Sequence, residues 1–128
     1  MTTYSVSKSD ELARVLGNIR RSIPELYGVM IASTDGLAIA HDFPESSADQ
    51  VAAMAATALG LGQRVSERTD LGDLAEAVVR GQSGYMVVYS AGVDAVLVMT
   101  GPIQSNLGLM RIEARVASVE IKQLLGRS

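Results

Sequence analysis

Few residues in this chain have the types and spacing to do chemistry. His41 is the only histidine, standing shortly after Asp35 in "IASTDGLAIAHD". A Ser-His-Asp triad would have to use His41, and no nucleophile-elbow pattern accompanies it. A single histidine excludes a multi-histidine metal site. The absence of cysteine removes thiolate ligands, disulfides and cysteine nucleophiles. Asp70 and Asp73 in "RTDLGD" match no calcium loop. The glycines of "GLGQR", Gly60 to Arg64, precede no Lys-Ser/Thr pair and read as packing glycines within a helix. Arg64, Arg68, Arg80 and Arg111 could meet phosphate, but a catalytic arginine needs an exposed, mobile site. The expectation is no catalytic, metal-binding or cofactor-binding residue, with His41 a strand-end residue. Asp35-Gly36 reads as a turn: Gly36 supplies a positive φ and Asp35 caps the turn's own backbone.

The totals agree with a folded globular domain. The 128 residues suit one domain spanning 1–128. With 48% hydrophobic and 20% charged residues the chain can bury a core. A formal net charge of -3 and 4% aromatics argue against a nucleic-acid partner. No apolar run approaches the roughly 20 residues of a membrane span, and no signal-peptide pattern opens the chain. A cytoplasmic protein without membrane insertion is expected.

The elements that would position any site follow from periodicity. Met1 to Val6 read as a flexible tail. From Ser9, Leu12, Val15, Leu16, Ile19 and Ile23 recur at helical steps until Pro24. "YGVMIAS" and "LAIAHD" read as a hairpin. Ser47 with Gln50 forms a capping box for a helix from about Ala48 to Val65. "LAEAVVRG", "GYMVVYS" and "AVLVMTG" read as three hairpin-connected strands. A last helix runs from about Leu107 to Leu125 and ends at Gly126. The order α-β-β-α-β-β-β-α predicts an α+β fold with an antiparallel sheet.

With a Thr34-Asp35-Gly36 loop, Val29, Ile31, Leu37 and Ile39 share one face of the sheet. Met30, Ala32, Ala38 and Ala40 share the other. Both faces are apolar, so helices must cover both. The middle helix is less easily hidden. In "VAAMAATALGL", Val51 to Leu61, Thr57 is the only polar side chain, where a surface helix keeps a polar face. The missing cover is most simply a second subunit.

In order and spacing, "GVMIASTDGLAIA", "DQVAAMAATALGLGQRV", "GYMVVYSAGVDAVLVM" and "NLGLMRIEA" resemble the Roadblock / dynein light-chain domains in their bacterial form, over about Leu12 to Leu125. The resemblance implies a five-stranded antiparallel sheet between helices, a longin/profilin-like sandwich. It implies a homodimer built on the middle helix and third strand, Val51 to Val65 and Leu74 to Gly81. Interface candidates are Val51, Met54, Ala55, Ala58, Leu59, Leu74, Glu76, Val78 and Arg80. It also implies a non-catalytic regulator or scaffold for a small Ras-like GTPase, some members serving as GTPase-activating partners. Thr57, Gln63, Arg64, Glu67 and Arg68 are the partner-binding candidates. Alternatives are an adaptor of a sensor-kinase-like protein, recruited to membranes through its partners, and a small-ligand sensor, for which no convergent polar pocket is visible.

Overall fold

The computed structural model describes residues 7–126. The expected tail, Met1 to Val6, lies outside them. Helix α1 (Lys8–Ser22) starts at Ser7, whose Oγ accepts a hydrogen bond from the Asp10 amide at 3.1 Å. Its apolar stripe, Leu12, Val15, Leu16 and Ile19, is buried. Strands β1 (Gly28–Ser33) and β2 (Ala38–His41) form the first hairpin. Gly36 has φ +90, the left-handed conformation that favours glycine. The side chain that closes this turn is Ser33, not Asp35: Ser33 Oγ accepts from the Leu37 amide at 3.1 Å.

The register departs from the simple alternation. Ile31 pairs with Ala40 and Ala32 with Ala38, so Ile39 has no partner. This bulge turns Ala40 to the side of Ile31 and leaves Ile39 exposed. Leu37 is also exposed.

Helix α2 spans Glu45–Arg68, starting earlier than expected. Pro44 precedes it with φ -57, already close to helical, and no side chain caps it. Ser47 lies inside the first turn, where its hydroxyl donates to the Pro44 carbonyl at 3.1 Å. The predicted capping box therefore does not form. Strand β3 (Ala77–Arg80) is shorter than the stretch from Leu74. Leu74 instead turns in against α2, where a Cβ on Gly62 would lie 3.0 Å from its Cδ2. Strands β4 (Gly84–Ser90) and β5 (Ala95–Pro102) and helix α3 (Leu107–Leu125) follow. Asn106 caps α3 by accepting from the Leu109 amide at 3.1 Å. Gly126 ends it in an extended conformation, φ -69, and not in the left-handed one.

The five strands form one antiparallel sheet in the order β2-β1-β5-β4-β3. The apolar β5 is central, as its unbroken run of hydrophobic residues predicts. On one face Val29, Ile31, Val87, Leu97 and Met99 meet α1 and α3. On the other Met30, Ala32, Val88, Val96 and Val98 meet Ala48, Ala52, Ala55 and Leu59 of α2. The small side chains bring α2 close: a Cβ on Gly36 would sit 3.3 Å from the Ala53 Cα. Burying each large aliphatic side chain contributes about 1.5–3 kcal/mol. No helix among the described residues is long and apolar enough to cross a membrane.

Candidate interaction surface

The residues with chemical potential are tied into structure. His41 Nδ1 accepts from the Phe43 amide at 3.1 Å, and its Nε2 lies 3.5 Å from Glu45 Oε1. Asp42 accepts from the Val29 amide and from Arg20, fastening the end of β2 to β1 and α1. Asp35 sits in the turn at the opposite end of β2. Among the described residues no cluster of three or more acidic or histidine side chains could hold a metal ion.

The phase of α2 decides which of its apolar residues form a surface. Val51, Ala55 and Leu59 point into the sheet and are buried within their own chain. They offer little surface to a second copy. Met54 and Ala58 lie off the core line, and the same helical step continues to Leu61 and Val65. Met54, Leu61 and Val65 are 49%, 55% and 48% exposed, and Ala58 is half-buried. This stripe covers roughly 16 Å of helix at the standard rise. It leans toward β3, because Gly62, one helical step from Ala58 and Val65, lies against Leu74 and Ala77: a Cβ there would be 3.6 Å from the Ala77 Cβ. On the same face of β3 as Ala77 stands Val79, 54% exposed. Strand β3 pairs only with β4, so its other edge is unpaired within the chain.

The stripe and the strand edge therefore adjoin: an apolar helix face beside a row of open backbone groups. Such an edge templates the addition of another strand. The sequence profile of the Roadblock/LC7 domain matches residues 10–100.

The chain belongs to the Roadblock/LC7 family. MJ1340 of Methanocaldococcus jannaschii is 35% identical to it over 100 residues, covering 77% of this chain and 87% of that protein. Among solved structures, the Roadblock/LC7 domain from Streptomyces avermitilis superimposes with a TM-score of 0.83 at 22% identity, over 89% of this chain and 97% of that one. The gliding protein MglB from Thermus thermophilus gives 0.81 at 18% identity, over 95% of this chain and 93% of that one. These likenesses establish the fold.

The remaining candidates of this Roadblock domain fall into distinct places. Val78 and Arg80 are exposed on β3, on the face opposite to Val79. Leu74 is half-buried against Gly62. Glu76 does not face outward as an interface acid, for Arg111 of α3 holds it at 2.7 Å. Thr57, Gln63, Arg64, Glu67 and Arg68 are all exposed. The Thr57 hydroxyl is turned back to its own helix, donating to the Ala53 carbonyl at 2.9 Å. Leu61, Val65 and Val79, exposed beside Met54 and Ala58, fall within the stretches Val51 to Val65 and Leu74 to Gly81 but are not among the individually named candidates. Their signal was present in the four-then-three spacing from Met54, but it shows only once Ala52 and Leu59 are known to face inward.

Proposed function

We propose that this chain is a homodimeric, non-catalytic platform for a small Ras-like GTPase. The supporting observation is the exposed stripe of Met54, Ala58, Leu61 and Val65 beside the open edge of β3. A second copy related by a two-fold axis would cover both at once, stripe against stripe and edge against edge. The polar rim of α2, Gln63, Arg64, Glu67 and Arg68, then lies beside the dimer seam and offers charged contacts to the GTPase. Family membership supports a regulatory reading, and the engaged state of His41 and Asp42 supports a non-catalytic one.

The test is a pull-down with the purified chain against small Ras-like GTPases loaded with GTP or GDP, together with their hydrolysis rates. Binding that depends on Arg64 and Arg68 supports the platform. Faster hydrolysis adds a GTPase-activating role. Failure to bind any such GTPase in either nucleotide state would overturn it, leaving the adaptor of a sensor-kinase-like protein.

A further inference from the structure

On the face of the sheet away from α2, a groove of about 460 Å³ lies between α3 and the segment leading into β3. Its size falls within the range of small-molecule sites. Tyr89 of β4 lines it, with Glu76 on one side and Arg111, Arg115 and Ser118 of α3 on the other. It contains none of the α2 stripe.

Tyr89 is only 7% exposed, and its hydroxyl is buried with no hydrogen-bond partner. A buried donor normally finds an acceptor. The Glu76 carboxylate lies close enough for its charge to act on this hydroxyl, yet no hydrogen bond joins them, and the other charged side chains of the lining are donors. Glu76 is the one carboxylate on the lining, and Arg111 occupies it with hydrogen bonds at 3.0, 2.9 and 2.7 Å. Those bonds use Nε and Nη2 of Arg111 and leave Nη1 without a protein partner among the described residues. Arg115 makes no ion pair among the described residues. Two guanidiniums against one carboxylate make the groove locally positive, in a chain whose formal net charge is -3.

We infer that this groove binds a small organic carboxylate, gripped by Arg115 and the free side of Arg111, with the Tyr89 hydroxyl as a further donor. The internal pair shows the chemistry the groove accepts, because Arg111 already takes a planar carboxylate through two nitrogens. Ala75, Ala114 and Val119 form an apolar wall suited to a short aliphatic body, which a bare inorganic anion would leave unused. In the free protein Glu76 stands in for the ligand. An incoming carboxylate competes with it, and displacing Glu76 opens the way to the Tyr89 hydroxyl.

This internal competition gives a test that a merely structural pair would not pass. The full-length chain, labelled with 15N, is titrated with glutarate, with the capped residue acetyl-glutamate-amide, and with inorganic phosphate, followed by heteronuclear NMR. Glutarate is expected to give saturable shifts centred on Tyr89, Arg111, Arg115 and Ser118. Saturation by the capped glutamate alone keeps the carboxylate site but assigns its source to a partner's acidic side chain. Arg115→Ala, at an exposed position, should weaken binding about tenfold, as expected for a lost charged hydrogen bond. Tyr89→Phe should weaken it by a smaller factor, and Glu76→Gln should tighten it. Phosphate binding as tightly as the carboxylates, no saturation by either carboxylate, or affinities unmoved by Arg115→Ala and Glu76→Gln would overturn the proposal.

Discussion

Arg111 of α3 holds the carboxylate of Glu76 through hydrogen bonds at 3.0, 2.9 and 2.7 Å, across 35 positions of sequence. This pair fastens the approach to the edge strand β3 onto the helix layer on the far side of the sheet from α2. It also places a negative charge beside the buried Tyr89.

That placement has a consequence at alkaline pH. Burial first, and the nearby Glu76 charge second, push the Tyr89 hydroxyl well above the ordinary tyrosine range. The unfolded chain then releases this proton more readily than the folded one. The resulting stability is complete below the unfolded tyrosine value of about 10 and is lost as pH rises beyond it. Tyr89→Phe should therefore flatten the fall of the urea midpoint above that value. An alkaline limb unchanged in the variant would contradict the assignment.

The proposed dimer surface makes a separate prediction. Leu61→Glu or Val79→Lys places a charge on the stripe or beside the strand edge, where the proposed partner copy would bury it unpaired. Sedimentation should show self-association weakened toward the monomer, with Kd raised at least about tenfold, or about 1.4 kcal/mol. Circular dichroism should remain that of the folded chain, since both side chains are about half exposed. A wild-type chain that is monomeric at micromolar concentration would remove the basis of this prediction.

Two glycines should respond in opposite directions. Around Gly60 of α2 an added Cβ meets nothing within 4 Å. Gly60→Ala should therefore raise stability by about 0.8–1 kcal/mol, the helix-propensity difference. At Gly84 the Cβ would come within 2.4 Å of the Gly101 carbonyl oxygen. That neighbour is backbone in a paired strand and has little room to move, so Gly84→Ala should cost about 1–3 kcal/mol. Thermal melts of the two variants compare them directly. Within its own chain Gly60 is therefore not a packing glycine. Gly62, against Leu74, is the one that packs.

The two apolar environments should separate equally well. Leu97 is wholly buried in β5 and Ile112 is 56% exposed on α3. Urea denaturation should give a loss of about 2–5 kcal/mol for Leu97→Ala and about 0.5 kcal/mol or less for Ile112→Ala. A cost for Ile112→Ala comparable to that for Leu97→Ala would mean that α3 is covered in solution.

The sequence by itself determined what depends on near neighbours. The repeat of Leu12, Val15, Leu16 and Ile19 specifies an amphipathic helix, and Gly36 specifies a tight hairpin. The unbroken apolar run from Ala95 to Met99 in β5 specifies a strand with neighbours on both sides and helices on both faces. The lone His41 and the missing cysteines set the limits on chemistry. These are properties of local backbone geometry and of side-chain type. Tertiary structure decided the rest. The inward line of α2 became legible only against the sheet, which separates buried Ala55 and Leu59 from exposed Leu61 and Val65. The bulge at Ile39 comes from pairing against β1, which no alternation within β2 reveals. The groove brings Glu76, ahead of β3, and Tyr89 of β4 together with Arg111 and Arg115, one turn apart on α3. Their meeting depends on how α3 lies across β4, a relation set by packing and not by spacing along the chain.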